Sequence, residues 1–226
     1  MQVLNTNIPH QTIGDKRKMD KKEIKKQLWA IVLPVAVQNL FSSLVSASDA
    51  LMLGGLTQSA LSAVSLATQV TFVLGLFYMA FTIGNTILAA QYWGKGDGKS
   101  VEKVLAISLR FSMFISILFW FVSFFFPQFL MRLLTNNQEL ISLGTPYLRI
   151  VAWSYLCTGI TQIYLCTMKN TGRTLLSTIY ATISLFVNLV CNMILIFGLL
   201  GLPKLEIQGA AYATVLARIL ELYSMR

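Results

Sequence analysis

The chain has 226 residues, of which 55% are hydrophobic and only 12% are charged, and its net charge is +9. Because soluble globular proteins contain about 25% charged residues, this composition excludes an ordinary soluble domain and favours a surface that faces lipid. Much of the positive charge lies in residues 16–26, directly before the first apolar stretch. A basic segment beside a membrane span contacts anionic lipid head groups, so nucleic-acid binding is disfavoured.

Residues 1–27 are predicted to form a polar and basic N-terminal segment on the cytoplasmic side of the membrane. They contain no cleavable signal sequence, because the apolar run that follows is far too long for one. Met19 is followed by Asp20 and lysines, which is an ordinary beginning for a membrane protein. We therefore expect translation to start at Met19, with Met1 as the alternative, and His10 to be a solvated tail residue rather than a ligand.

Six apolar stretches follow in chain order, each long enough to cross the bilayer. The hydrocarbon core is about 30 Å thick and takes roughly 20 residues of α-helix. Backbone polar groups find no water in that layer, so helices with internal hydrogen bonds are expected. The predicted spans are residues 28–53, 61–92, 104–126, 140–168, 175–200 and 209–223. The sequence thus predicts an all-α, six-helix transmembrane lobe over residues 28–226.

Lysine and arginine residues are concentrated in alternate loops of this pattern. Lys95 and Lys99 follow the second span, and Lys169 and Arg173 lie between the fourth and fifth spans. The remaining loops carry far fewer basic residues. Because basic loops stay in the cytoplasm, both termini are predicted to be cytoplasmic. The chain is expected to be a multi-pass protein of the plasma or inner membrane.

Asp49 is the outstanding polar residue at membrane depth, because no other acidic residue lies inside the first five predicted spans. A carboxylate there costs roughly 2.5–3.5 kcal/mol on insertion scales, so it normally faces a bundle interior or a watery cavity. In such a place it can bind a cation or exchange a proton. The alternative is that Asp49 lies close enough to the outer end of its span to reach water.

Four other polar side chains are candidates to surround Asp49. Asn188 and Asn192 are four residues apart in the fifth span and therefore share a helix face. Tyr147 lies near the outer end of the fourth span, and Thr214 lies in the sixth. Amide and hydroxyl oxygens can ligate a hard cation or pair with a protonated carboxyl group. They can equally hold helices together, and for the two asparagines alone this structural role is slightly favoured.

The sequence has no arrangement that indicates an enzyme, a cofactor or a structural metal. Cys157, Cys166 and Cys191 lie within apolar spans, at spacings that fit neither a disulfide framework nor a zinc site. The loop at residues 94–99 resembles a phosphate-binding turn only faintly, because it lacks the preceding strand and the required spacing. We therefore expect a non-enzymatic function and no catalytic residues.

Three blocks of the sequence are specific enough to compare with a known family. Pro34 is followed fifteen residues later by Asp49, within the run 49–54 that ends in glycine. Residues 89–97 form a polar turn after the second span. The third block consists of four short segments in a characteristic order and spacing: residues 186–188, 196–198, 201–203 and 209–214. These blocks resemble the multidrug and toxic compound extrusion (MATE) transporters, and the resemblance runs from about Met19 to the end of the chain.

The resemblance implies secondary active export of cationic or amphipathic drugs in exchange for protons or sodium ions, by alternating access between two six-helix lobes. It makes Asp49 the coupling aspartate, with Asn188 and Thr214 in its polar cluster and Tyr147 as a further member. Many family members have a second carboxylate where this chain has Asn192. An amide can ligate sodium but cannot take up a proton. Sodium and proton coupling both remain open, with Asp49, Asn188 and Asn192 as candidate sodium ligands.

The resemblance covers only the first six of the family's roughly twelve helices, whose two halves are structural repeats. A truncated chain is the favoured explanation. The alternatives are a half-transporter that pairs with a separate second half or with its own copy, and a relic without transport activity. Two other functions stay open: a non-transporting assembly subunit, and a lipid-type flippase of the wider superfamily. The flippase would favour a larger and more basic inner cavity. The residues do not identify the drug-like substrate.

Overall fold

The computed structural model describes residues 21–201 and 203–225, and this part of the chain is helical throughout except for short connections. The helices are α1 (Lys21–Gly54), α2 (Gln58–Gly94), α3 (Gly98–Phe125), α4 (Pro127–Leu134), α5 (Gln138–Asn170), α6 (Thr174–Phe197) and α7 (Glu206–Ser224). A single 3₁₀ turn, Leu199–Gly201, follows α6. The predictions about His10 and about the start at Met1 or Met19 fall outside the described residues.

Four of the described helices, α2, α3, α5 and α6, are long and apolar enough to cross a membrane. The prediction of an all-α membrane fold is therefore confirmed. The count of six spans and the cytoplasmic location of both termini stay predictions, and so does the division into residues 1–27 and 28–226. α7 is not among these four helices, and its last third contains the charged residues Arg218 and Glu221.

The short helix α4 is the one described α-helix that the sequence analysis did not anticipate. The third predicted span runs to residue 126, but α3 ends at Phe125 and a new helix begins at Pro127. Proline has no N–H to donate and its φ suits the first turn of a helix, so it begins α4 without losing a hydrogen bond. α4 buries Met131 against Gly144 of α5 and leaves Leu133 exposed.

Side-chain caps fix the beginnings of three of the long helices. Thr57 accepts a hydrogen bond from the N–H of Ala60 at the start of α2, and Asn137 caps α5 through the N–H of Glu139. Asp97 caps α3 by accepting from both the N–H and the hydroxyl of Ser100. These bonds lower the pKa of Asp97, so the carboxylate cap is present at neutral pH and is lost only as the pH falls through that lowered pKa.

α5 lies at the centre of the bundle and packs against α2, α3, α4, α6 and α7. Its buried face includes Leu148, Tyr155 and Ile163, which are almost completely shielded. The hydroxyl of Tyr78 on α2 donates to the backbone carbonyl of Tyr155 over 3.0 Å. α1 has a different position, because it packs chiefly against α6 and much less against α2 and α7. Contacts between α1 and α6 therefore determine the position of α1 in the bundle.

The short connections make successive long helices antiparallel, so the bundle has two distinct ends. We call the end that carries the loops at residues 95–97 and 171–173 the basic end. The far end carries the loops at residues 55–57, 135–137 and 198–205. α1, α3 and α6 run from the basic end to the far end, whereas α2, α5 and α7 run the other way.

α6 and α7 approach each other most closely at Gly209, near the far end. α6 ends at Phe197 and is followed by Gly198, whose φ of 70° lies in the left-handed region that favours glycine. A β-carbon at position 209 would lie 2.6 Å from the carbonyl oxygen of Leu195 and 2.7 Å from its carbonyl carbon. Ala210 and Ala211 are buried beside Gly209. Small residues thus bring the two backbones into direct contact.

Replacing Gly209 with alanine is expected to destabilise the bundle by about 1–3 kcal/mol, the usual cost of overpacking a tight contact. The β-carbon would meet backbone atoms, which cannot rotate out of the way as a side chain can. The measurement is the free energy of unfolding of the purified chain, from a denaturing-detergent titration followed by helix content. Gly84→Ala is the matched control, because no atom lies within 4 Å of its added β-carbon. Equal stability of the two variants would contradict the prediction.

Candidate functional site

The centre of the predicted cluster is a hydrogen bond between α1 and α6. Nδ2 of Asn192 donates to Oδ1 of Asp49 over 2.7 Å. The same Nδ2 atom lies 3.3 Å from Oδ1 of Asn188, one helical turn away. Asn192 is only 1% exposed, and Asp49 is half-buried. The carboxylate thus faces the bundle interior through its amide partner, rather than being free at the surface.

All five predicted site residues lie at a similar height in the bundle. α1 and α6 end at the far end, and shortly before those ends lie Asp49 in α1 and Asn188 and Asn192 in α6. α5 and α7 begin at the far end, and shortly after those beginnings lie Tyr147 in α5 and Thr214 in α7. Each is about five to nine residues from that end, which at 1.5 Å per residue is roughly 8–14 Å along the helix. The antiparallel topology therefore collects these residues in one layer, although they are spread over much of the sequence.

Of the predicted site residues, only Asn192 makes a direct hydrogen bond to Asp49, Asn188 is joined to it through Asn192, and the other two predicted residues belong to neither bond. The hydroxyl of Thr214 donates to the carbonyl of Ala210 in its own helix over 3.0 Å. Tyr147 is 6% exposed and belongs to the main hydrophobic core, to which α2 and α5 contribute most of the buried residues. The structure therefore brings Asp49, Asn188 and Asn192 into contact, and it places Tyr147 and Thr214 in the same layer without bonding them to the carboxylate.

One oxygen of this cluster lacks a partner. Oδ1 of Asn192 is buried, and no hydrogen-bond donor within the described residues reaches it. A buried acceptor without a partner costs about 1–3 kcal/mol, so such an atom calls for an explanation. Asp49 and Asn188 contribute further oxygens of the kind that hard cations bind, but these face Nδ2 of the same amide. Asp49 can therefore take up a proton or a small cation, and Oδ1 of Asn192 would join the same cation only after its amide group turns over.

A second polar region, which the sequence analysis missed, lies in the half of the bundle nearer the basic end. It is a cavity of about 470 Å³ between α1, α2, α5, α6 and α7. Its polar lining includes Gln38, Asn39, Gln162, Lys169, Arg218 and Glu221. Nη1 of Arg218 lies 2.8 Å from Oε2 of Glu221, whose side chain is only 2% exposed. The signal in the sequence was a pair of opposite charges three residues apart inside the sixth apolar stretch.

Comparison with known proteins gives one consistent family. A family model described as MatE matches residues 34–194. The chain is 26% identical over 202 residues to a probable multidrug resistance protein NorM of Thermotoga maritima, covering 89% of this chain and 43% of that protein. It is 25% identical over 193 residues to the multidrug resistance protein PmpM of Pseudomonas aeruginosa, covering 84% of this chain and 40% of that protein.

Solved structures of transporters have the same fold as this chain. An outward-facing multidrug resistance MATE family transporter matches with a TM-score of 0.81 at 19% identity, over 89% of this chain and 44% of that one. A MATE structure in a bent conformation matches with a TM-score of 0.77 at 20% identity, over 87% and 43%. The chain thus spans less than half the length of the relatives it matches. With a family match over most of its residues, this multi-pass membrane protein belongs to the MATE transporter family.

Proposed function

We propose that this chain forms one lobe of an ion-coupled exporter of drug-like organic cations and other amphipathic compounds, with Asp49 as the coupling group. The observation that carries the proposal is the 2.7 Å hydrogen bond between Asn192 and Asp49. The names of the matched relatives, which are multidrug resistance proteins, support the substrate class. All six long helices would span the membrane, with both termini in the cytoplasm.

Coupling requires that the ion change a contact on which the lobe's conformation depends. Asp49 belongs to α1, which packs chiefly against α6, and its partner Asn192 belongs to α6. A cation or a proton at Asp49 competes with the amide for the carboxylate oxygens. Occupancy of this site therefore alters the contact that holds α1 against α6. That contact is the element through which ion binding would favour one conformation of the transporter.

The donor set supports sodium as the first candidate ion. Asp49 provides one negative charge, and the side-chain oxygens of Asn188 and Asn192 provide neutral ligands without a proton to exchange. The unpartnered Oδ1 of Asn192 is the atom that a bound cation would satisfy. Proton exchange at Asp49 alone is the alternative, and in that case Asn192 serves only to orient the carboxylate. Tyr147 and Thr214 complete the polar layer in either case.

Replacing Asn192 with leucine is expected to weaken sodium binding about tenfold or more. The substitution removes Oδ1 of Asn192 as a ligand of the ion; a polar contact with a charged group contributes about 1.5–3 kcal/mol, and 1.4 kcal/mol corresponds to a factor of ten. The measurement is the rise in the thermal midpoint of the purified chain with sodium concentration, against choline as the inert cation. Asn136→Leu, in an exposed loop, is the control. If sodium stabilises the parent chain and the N192L variant equally, Asn192 is not a sodium ligand.

The length of the chain requires a second lobe for transport. One lobe can hold the ion cluster, but the transport path of such proteins lies between two structural repeats. We propose that a second six-helix unit completes the protein, most simply as the continuation of a longer natural product. An antibody against residues 95–103 tests this on the natural membranes. A band near twice 25.2 kDa supports the continuous protein. A band near 25 kDa supports a half that pairs with another subunit or its own copy.

Transport itself is tested with the protein at its natural length, reconstituted into vesicles. We expect ethidium to move outward against its gradient when a sodium or proton gradient is imposed, and to stop when the gradient is collapsed. Exchange of sodium for choline separates the two coupling ions. Absence of gradient-driven flux, with any second lobe supplied, would instead favour a non-transporting assembly subunit.

A further inference from the structure

The cavity in the half of the bundle nearer the basic end has an unbalanced positive charge. Three charged side chains line it: Lys169, Arg218 and Glu221. Glu221 is neutralised by Arg218 at 2.8 Å. Among the described residues, no acidic side chain lies within ion-pair distance of Lys169. Among the described side chains, one cationic group thus has no counter-charge in a cavity of about 470 Å³, a volume within the range of small-molecule sites.

The cations of this cavity remain accessible to a ligand. Arg218 retains 31% of its side-chain exposure even though it is paired with Glu221. A guanidinium has five N–H donors, and Glu221 receives a hydrogen bond from only one of its nitrogens, Nη1. Lys169 is also only half-buried and has three donors on its ammonium group. Two cationic side chains therefore have donors available to the same space.

The apolar part of the lining comes chiefly from α2 and α6. Ile83 and Ile87 lie one helical turn apart on α2, and Leu185 is on α6. Ile83 is 55% exposed and Ile87 is 54% exposed, so both present a large apolar surface. The side-chain oxygen Oε1 of Gln38, also on the lining, is buried and has no hydrogen-bond partner in the described part of the chain. That oxygen can accept a hydrogen bond from a ligand hydroxyl.

We propose that this cavity binds an amphipathic anion, with its phosphate or carboxylate head group at Lys169 and Arg218 and its hydrocarbon part along Ile83 and Ile87. Guanidinium and ammonium groups are the side chains that bind such head groups most strongly. The site is distinct from the Asp49 cluster and has the opposite charge preference. It does not depend on the proposed export function, since binding can be measured on the chain without any transport.

Native mass spectrometry of the full chain, purified in a neutral maltoside detergent, tests the proposal. The anionic probes are dodecyl phosphate and phosphatidylglycerol, and the comparison probes are dodecyltrimethylammonium and phosphatidylcholine. We expect one anionic probe bound per chain at a concentration at least about tenfold lower than either comparison probe requires. If phosphatidylglycerol is the only anionic probe that binds, the ligand is a membrane lipid. If both anionic probes bind, the site also accepts free amphipathic anions.

Matched charge variants locate the bound anion. Lys169→Gln is expected to weaken binding at least about tenfold, and Arg132→Gln, which removes an equal charge at the far end, should leave it unchanged. The double variant R218Q/E221Q should also weaken binding, and it leaves no buried carboxylate unpaired. Equal affinity for dodecyltrimethylammonium would overturn the proposal. So would the absence of any anion adduct, or equal losses in K169Q and R132Q.

Discussion

Replacing Asp49 with asparagine is expected to reduce ion-driven export of ethidium to the background rate of empty vesicles, a loss on the order of 100-fold or more. The substitution retains the size of the side chain and an oxygen that can accept from Asn192, so packing between α1 and α6 is preserved. It removes the negative charge that binds a cation and the group that exchanges a proton. A loss of 100-fold corresponds to about 2.7 kcal/mol of lost stabilisation.

The measurement is the initial rate of outward ethidium transport from reconstituted vesicles under an imposed sodium or proton gradient, with equal amounts of inserted protein. Asp97→Asn is the matched control. It removes a carboxylate from an exposed loop, and asparagine caps a helix as well as aspartate does. We expect the D97N variant to transport at the parent rate. Normal transport by D49N, or an equal loss in both variants, would refute the role assigned to Asp49.

The positions of the long helices could be predicted because bilayer thickness imposes a length that is visible in the sequence. The predicted spans at residues 61–92 and 140–168 lie within α2 and α5, which extend a few residues farther at each end. α1 includes residues 21–27, ahead of the predicted span at residue 28, since lysine and glutamate are good helix formers and a helix can extend into water beyond its apolar part. Hydropathy marks contact with lipid, not the limits of a helix.

The break before α4 could not be predicted from hydropathy alone. Phe124, Phe125 and Phe126 continue the apolar run up to Pro127, so nothing in the composition separates a membrane span from the short helix that follows. Pro127 was the available signal, because proline is favoured in the first turn of a helix and disfavoured inside one. The tight contact at Gly209 was equally hidden, since a sequence does not give the distance between two backbones.

The site could be predicted in part, and the reason lies in helix geometry. Asp49 was conspicuous as a charge in an apolar span, and the spacing of Asn188 and Asn192 placed both on one face of α6. Which face of α6 meets α1 depends on helix rotation, which the spacing does not encode. For the same reason the sequence places Thr214 in the sixth predicted span but does not give its hydrogen bond to Ala210. The cavity at Lys169 arises from the spacing of five helices; the charges of Arg218 and Glu221 were a local signal of a polar site, but they do not show that a cavity lies beside them.

Replacing Arg218 with leucine is expected to destabilise the bundle by about 3–5 kcal/mol, the usual cost of removing one partner of a buried ion pair. Glu221 is 2% exposed on its side chain, and Arg218 is the partner whose guanidinium lies 2.8 Å from its carboxylate. Without that partner the carboxylate must remain charged while almost fully shielded from water or take up a proton, and both are unfavourable. The measurement is the free energy of unfolding of the purified chain in a denaturing-detergent titration.

Two variants separate the loss of a charge partner from the loss of packing. In the double variant R218L/E221L no buried charge remains, so its stability is expected to return to within about 1 kcal/mol of the parent. Lys204→Leu breaks an exposed pair, in which Nζ of Lys204 lies 3.6 Å from Glu206 and both side chains are more than half exposed. The K204L variant is therefore expected to lose less than about 1 kcal/mol of unfolding free energy. A double variant no more stable than R218L would show that Arg218 stabilises the bundle through packing, and that Glu221 does not need a counter-charge.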